Sequence, residues 1–463
     1  MFHVKHFEDT IVAVATPLGV GGVGVIRVSG GRALEIVRPS IKNFPQDIIP
    51  RRLYHGWFHI EDKLIDEVLF YFMKAPESYT GEDVVEISGH GGPVVLCTML
   101  EALIQNGARL AEKGEFTKRA FLNGKIDLAQ AEAIADLISA KTSLGVEVSA
   151  SQLSGSLSNK ISSLRKALLE VLAGVEVVID FSEDVGELDF SALREKLVSI
   201  MDEVDGLIAG AKQGKVLREG LRVTILGKPN VGKSSLLNAL VGKNRVIVSD
   251  LPGTTRDTIE EVINLNGLPL VVIDTAGIRH PKDKAEEFGV ERARVEAEGA
   301  DLILLIVDAS SNLTEEDLMI FDLVKNKRWV LVLNKIDLGL KVKLNGFVTP
   351  PRKFEVSALY GKGIDDLRLG MFEYVCSDLA AGPFKGYDSS KNFSSLVNAR
   401  HLNCLLRAKE SLSRALKLIE DNAQEVLVAI DLKEAVLALG EVCGEEVSEE
   451  VINTIFEKFC VGK

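Results

Sequence analysis

Four short segments of this sequence carry residues whose types and order suit them to hold a nucleotide. Gly227-Lys-Pro-Asn-Val-Gly232-Lys233-Ser234 matches GxxxxGK[ST] and directly follows an apolar run. Backbone N–H groups of such a loop cradle phosphates, the lysine neutralises β/γ charge, and the hydroxyl ligates Mg²⁺. Those roles fall on Lys233 and Ser234, with Asn230, Val231, Gly232 and Ser235 completing the phosphate contact. About 40 residues further on, Asp274-Thr275-Ala276-Gly277 follows a second apolar run. Its aspartate can hold Mg²⁺ through water, and Gly277 can offer its N–H to a γ-phosphate. Asn334-Lys335-Ile336-Asp337 ends a third run. A carboxylate there accepts from guanine N1–H and the 2-amino group, which adenine does not offer, so Asp337 predicts GTP over ATP. Ser357-Ala358-Leu359 can place a backbone N–H on guanine O6.

The elements around these segments alternate strand and helix, the pattern of a parallel α/β sheet. Strands are expected at Arg222–Leu226, Leu270–Ile273, Leu302–Val307 and Trp329–Leu333, with a helix over Ser235–Val241. Upstream, the β-branched runs Thr10–Thr16, Val23–Val28, Glu67–Met73 and Val84–Ile87 predict strands. Pro93 and Gly107 bracket a helix. From Asp127 to Gly220 the pattern turns helical, with Leu164, Leu168, Leu172 and Val175 at i, i+4, i+8 and i+11. Residues 391–459 are helical again, with Ser448 a candidate N-cap. One helical domain built from both stretches, with the nucleotide-binding domain inserted, is the economical architecture.

Composition sets the outer bounds. The 463 residues are 46% hydrophobic and 26% charged, ordinary for globular domains. The five cysteines form neither a CxxC pair nor a zinc spacing, which predicts reduced thiols in a cytoplasmic protein. The first ten residues lack a signal-peptide core, and no apolar run approaches the roughly 20 residues that span a bilayer. A net charge of −13 argues against gripping nucleic acid by its phosphates alone. An RNA substrate would be held by a local patch or largely by a partner.

The four nucleotide segments, in this order, resemble the G1, G3, G4 and G5 elements of Ras-like GTPases over about a third of the chain. Gly253-Thr254-Thr255-Arg256-Asp257 resembles the switch I motif of the TrmE–Era branch, which makes Thr255 the second Mg²⁺ hydroxyl. Where many regulatory GTPases carry a water-orienting Gln after DxxG, this chain has Ile278. Hydrolysis must therefore draw positive charge and water orientation from elsewhere, and Asn230 is a candidate ligand for a monovalent cation.

The flanking segments carry a closer resemblance. Thr10-Ile-Val-Ala-Val-Ala-Thr-Pro17, Gly21–Gly30, Thr80-Gly-Glu-Asp-Val-Val-Glu86, Gly89-His-Gly-Gly92, Gly114–Asn123 and the terminal Phe459-Cys-Val-Gly-Lys463 are similar to the MnmE (TrmE) family of tRNA modification GTPases. The resemblance implies a multidomain α/β protein. Its parts would be an α+β N-terminal folate-binding and dimerisation domain (1–124), a discontinuous helical domain (125–220 and 377–463), and an inserted Ras-like P-loop G domain with a parallel sheet (221–376). It further implies a homodimer that works with the FAD- and NADH-dependent protein MnmG on carbon 5 of the wobble uridine of certain tRNAs. The one-carbon donor is 5-formyl- or methylene-tetrahydrofolate, and K⁺-dependent pairing of G domains stimulates hydrolysis. On that resemblance the folate contacts fall on Arg27, Glu86, Lys125 and Lys463. The K⁺ ligands fall on Asn230, Ser249, Leu251 (by its carbonyl) and Thr254, with Asp250, Pro252 and Gly253 in the same nucleotide-contacting loop. Glu286 is the implied water-orienting catalytic residue. Leu359 stands where many relatives have Lys or Arg, which implies weaker stacking on the base. A ribosome-assembly GTPase of the Era type would instead need a basic KH-like appendage with a GXXG clamp, and the segment after the G domain lacks one. A purely structural dimerising GTPase would leave the terminal FCVGK segment without a role.

Overall fold

The computed structural model describes residues 9–181, 190–242, 261–273, 294–295, 297–344, 349–379, 397–421 and 423–463. The chain divides into two compact units. One comprises Met1–Ala135, Gln152–Met201 and Cys404–Lys463, and the other Asp136–Ser151 and Asp202–Asn403.

The first unit is built on a seven-stranded sheet of β1 (Ile11–Val14), β2 (Gly21–Ser29), β3 (Ile41–Lys42), β4 (Tyr54–Ile60), β5 (Lys63–Met73), β6 (Val84–Gly91) and β7 (Arg109–Leu110). Their spatial order is β3-β4-β5-β6-β2-β1-β7, antiparallel except for β1 beside β7. Side chains alternate across a strand. Ile26, Val28, Phe70, Phe72, Val85 and Ile87 therefore share one buried face, which packs against Leu96, Met99 and Leu103 of helix Pro93–Gln105. Each such side chain contributes about 1.5–3 kcal/mol on burial. The alternate residues Arg27, Glu86 and Tyr71 fall on the opposite face.

The helical stretches before and after the nucleotide segments pack on each other inside this unit. Helix Ser156–Asp180 buries Leu164, Leu168, Leu172 and Val175 as its spacing predicts, and lies along helix Glu425–Cys443. The ion pairs Lys433–Glu176 (2.8 Å) and Arg165–Glu445 (2.7 Å) tie the two stretches. Ser448 caps helix Glu449–Phe456 by accepting from the Val451 N–H. Beyond that helix, Phe456 and Phe459 pack with Phe121, and the chain end returns to the first sheet.

The second unit holds a six-stranded sheet of β8 (Leu221–Leu226), β9 (Glu261–Leu265), β10 (Leu268–Val272), β11 (Leu302–Asp308), β12 (Trp329–Asn334) and β13 (Lys353–Glu355), ordered β13-β12-β11-β8-β10-β9. Apolar clusters cover both faces, the condition under which parallel strands are stable. The expected parallel sheet carries one antiparallel edge, because β9 pairs with β10 through the turn Asn266-Gly267. Both turn residues have positive φ (50° and 95°), the requirement of a tight two-residue hairpin. No helix among the described residues is long and apolar enough to cross a membrane.

Candidate functional site

In the second unit the phosphate-loop motif joins the end of β8 to helix Lys233–Val241, so helical N–H groups and the positive end of the helix dipole face the loop. Asn230 and Gly232 have φ of 63° and 98°. At Gly232 the fit is close: an added Cβ would lie 2.3 Å from Nδ2 of Asn334, so only glycine serves. The Lys233 ammonium turns into the loop and donates to the carbonyl oxygens of Gly227 and Lys228. Val231 is buried, whereas Asn230, Ser234 and Ser235 lie at the exposed rim. Lys228 anchors the loop from outside, its Nζ 2.7 Å from Asp317 at the capped start of helix Glu315–Val324.

Asn334 joins this loop to the segments expected to meet the base. Its Nδ2 donates to the Val231 carbonyl (2.8 Å), and its Oδ1 accepts from the Ala358 N–H (3.0 Å). Ser357 donates through its hydroxyl to Asp337 (2.6 Å), fixing the carboxylate assigned to guanine. Lys335, at φ 66°, places its ammonium 2.7 Å from Asp308 at the end of β11. Burial pushes the Asp308 carboxyl up, but hydrogen bonds from Lys335 and Ser310 outweigh it and hold the group below the usual carboxylate range. Leu359 is exposed at the rim. Thus Asn230, Val231, Gly232, Lys233, Ser234 and Ser235 are brought to one end of the sheet with Asn334, Lys335, Asp337, Ser357, Ala358 and Leu359. The arrangement can hold a purine nucleoside polyphosphate, its phosphates on loop amides and Lys233, its base edge on Asp337. Ser249, Asp250, Leu251, Pro252, Gly253, Thr254, Thr255, Asp274, Thr275, Ala276, Gly277 and Glu286 lie outside the described residues.

The first unit assembles a second site. Strand register sets Glu86 opposite both Arg27 on β2 and Tyr71 on β5. Arg27 Nε donates to Glu86 (2.7 Å), with side chains only 14% and 13% exposed. Tyr71 donates its hydroxyl to the other carboxylate oxygen. Burial and that hydrogen bond push the Tyr71 phenol up to about 12, so it stays a donor at every physiological pH. The Arg27 guanidinium also lies over the rings of Tyr79 (5.0 Å) and Phe116 (5.5 Å).

The chain end completes this cluster. Val461 bridges to Lys113, Gly114 donates its N–H to the Cys460 carbonyl, and the Gly462 carbonyl accepts from Arg27 (3.4 Å). Gly462 has φ 94°, and a Cβ there would stand 2.3 Å from the Val14 carbonyl oxygen. Lys463 is half-buried, and burial followed by the neighbouring Arg27 charge pushes its ammonium below the ordinary lysine value. Lys125 stands apart from these three, donating to the Pro76 carbonyl (3.0 Å). It lines a cavity of about 440 Å³ with Arg51, Tyr71, Met73, Glu77 and Ser78, so Tyr71 is shared by the cavity wall and the Arg27–Glu86 pair. A bound carboxylate, two or three cations and aromatic walls fit a ligand with a hydrogen-bonding heterocycle and an anionic tail.

Sequence reasoning missed Tyr71, Asp308, Lys228 and Asn334's bridging role. Tyr71 alone left a signal, since the alternation of Lys63–Met73 puts it on the face opposite Val68, Phe70 and Phe72.

Residues 10–125 match the family model for the GTP-binding protein TrmE N-terminus, and residues 128–460 match that for the MnmE helical domain. The tRNA modification GTPase MnmE of Alkaliphilus oremlandii (strain OhILAs) is 46% identical over 470 residues, covering 99% of this chain and 100% of that protein. The chain belongs to the MnmE family. The MnmE of Clostridioides difficile (strain 630) is 44% identical over 466 residues, 98% of this chain and 99% of that one. A solved G domain of FeoB from Methanococcus jannaschii shows 25% identity, covering 34% of this chain and 97% of that one, at a TM-score of 0.25. As a member of the MnmE family the chain is a GTP hydrolase.

Proposed function

We propose that this GTPase acts in modifying carbon 5 of the wobble uridine (position 34) of certain tRNAs, with MnmG as FAD- and NADH-dependent partner. A homodimer formed through the N-terminal domain, resident in the cytoplasm, is part of the same reading. The observation that carries it is the closure of the chain end on the Arg27–Glu86 pair. A GTPase without a second ligand has no use for Lys463 half-buried beside a partnered guanidinium and carboxylate in its first unit. The relatives' names supply the tRNA, and the chemistry of this donor set fits a tetrahydrofolate derivative. Glu86 would accept from the pterin edge, held in place by Tyr71 and Arg27, Lys463 would meet the polar edge of the heterocycle beside them, and Lys125 would meet the anionic tail. When bound, such a folate supplies a one-carbon unit.

At the nucleotide site, Lys233 and the loop amides hold the phosphates, and Asp337, fixed by Ser357, selects guanine. Mg²⁺ would be held by Ser234 and Thr255. K⁺ would be held by Asn230, Ser249, the Leu251 carbonyl and Thr254, supplying the charge that an arginine finger supplies elsewhere. Glu286 would orient the attacking water in place of Ile278, and pairing of G domains across the dimer would drive hydrolysis. The test is nucleoside analysis of tRNA from cells lacking the gene, with and without a complementing copy. Loss of the wobble-uridine modification, restored by the wild-type gene, is expected. Its persistence without the gene overturns the reading.

A further inference from the structure

The pair Arg27–Glu86 and the 440 Å³ cavity share Tyr71, so the cavity mouth lies next to any ligand seated on the pair. Two cations flank that mouth. Arg51 donates to the Glu77 carbonyl (3.0 Å), and Lys125 donates to the Pro76 carbonyl (3.0 Å). The two cationic heads are thus pinned to consecutive carbonyls of one turn. The Arg51 backbone is itself fixed: it takes φ 64°, and its N–H donates to the Phe72 carbonyl at 2.7 Å. Unlike the phosphate-loop lysine, neither cation serves a known ligand at the nucleotide site, and Arg51 has no role in the scheme above.

The partner of Arg51 in the structure is weak. Its guanidinium lies 3.2 Å from the Glu77 carboxylate, and both side chains are mostly exposed. An exposed pair of that kind adds little stability, so an incoming carboxylate can take the place of Glu77. A guanidinium offers a planar fork of donors that matches a carboxylate, while an ammonium offers a point charge.

We infer that Arg51 is a specificity-determining residue that, together with Lys125, reads the glutamate tail of a folate. The inference rests on the folate reading and deepens it. In this arrangement Glu77 occupies the tail position from within the chain and competes with the ligand. The heterocycle is recognised at Glu86 and the tail at Arg51, with Tyr71 between them.

The experiment is calorimetric titration of the full chain with two ligands, 5-formyltetrahydrofolate and the primary amide of 5-formyltetrahydropteroate (the pteroate below), which lacks the glutamate and carries no carboxylate. Wild type should bind the folate more tightly than the pteroate. Arg51→Ala should weaken folate binding about threefold to tenfold, the range between an exposed ion pair and a charge-assisted hydrogen bond, and leave pteroate binding unchanged. Glu77→Gln should tighten folate binding, and that gain should vanish when Arg51→Ala is added. An Arg51→Ala protein that loses affinity for both ligands equally, or for neither, overturns the assignment of the tail to Arg51. A wild-type protein that binds neither ligand overturns the folate reading itself, and the tail assignment with it.

Discussion

Asn334→Ala should separate the phosphate loop from the segments proposed to meet the base. The side chain of Asn334 is almost wholly buried, as are its partners Val231 and Ala358. Truncation leaves the Val231 carbonyl and the Ala358 N–H without their partner. A buried polar group left unpaired costs about 1–3 kcal/mol, so the two together cost about 2–6 kcal/mol. That is a large share of the roughly 5–15 kcal/mol that holds a domain folded. The chain offers a local reporter, since its two tryptophans are Trp57 in the first unit and Trp329 at the start of β12 in the second. In a Trp57→Phe background, urea unfolding followed by fluorescence reads the second unit alone. The midpoint should fall without a change in slope, because the exposed surface on unfolding is the same. GDP affinity should fall as well, since Val231 lies in the loop proposed to hold the phosphates and Ala358 in the segment proposed to meet the base. Excess GDP should restore part of the lost stability by mass action. A loss below about 1 kcal/mol with GDP affinity unchanged would refute the bridging role, because even one unpaired buried group costs that much.

Three further outcomes are expected. GTP hydrolysis measured in KCl and NaCl at equal ionic strength should be far faster in KCl, since a finger-like charge is worth roughly 10³–10⁵ in rate; equal rates remove the cation, and Asn230 with it. Deleting Cys460–Lys463 takes away the Val461 bridge to Lys113 and the Gly462 carbonyl on Arg27, so folate titration should show no binding while the GTPase rate stays at the wild-type value. The His90 imidazole, raised above its ordinary value by its hydrogen bond to Asp66 (2.6 Å), should titrate above roughly 6.5 in an NMR pH series and return toward that value in Asp66→Asn. Because the folded value is the raised one, the stability this contact adds is complete below about 6.5 and is lost as pH rises through the folded value.

The nucleotide loops were legible because their chemistry fixes residue types at short range. Gly232 is glycine for a steric reason confined to one loop and the side chain of Asn334, and both belong to motifs. The sheet edge was less legible although its signal was present. Asn266-Gly267 between apolar runs is a hairpin signature, yet the alternating strand-and-helix pattern around it pointed to parallel pairing. In the first unit β4 escaped notice because it mixes polar and apolar residues and has Gly56 inside it. That glycine faces Ile41, whose Cγ2 would stand 2.6 Å from an added Cβ, a constraint between strands that the local pattern does not carry.

The second site was legible in its ends and not in its middle. Arg27, Glu86 and Lys463 came from the resemblance. What makes them a site is the register of β2, β6 and β5, which sets Tyr71 on the far side of Glu86 from Arg27. Register is decided by which faces are buried, and a slip of one residue on β5 would send Tyr71 into the core and Phe70 or Phe72 out of it. The apolar half of the sheet therefore fixes the polar half: Phe70, Phe72, Val85 and Ile87 hold Tyr71 and Glu86 in line. The chain end obeys the same logic at a longer reach. Phe456 and Phe459 bury against Phe121, and that packing delivers Gly462 to Val14 and to Arg27, 435 residues away in sequence. Apolar burial thus sets the positions of both ends of the site, and the charged groups that would meet a ligand follow from it.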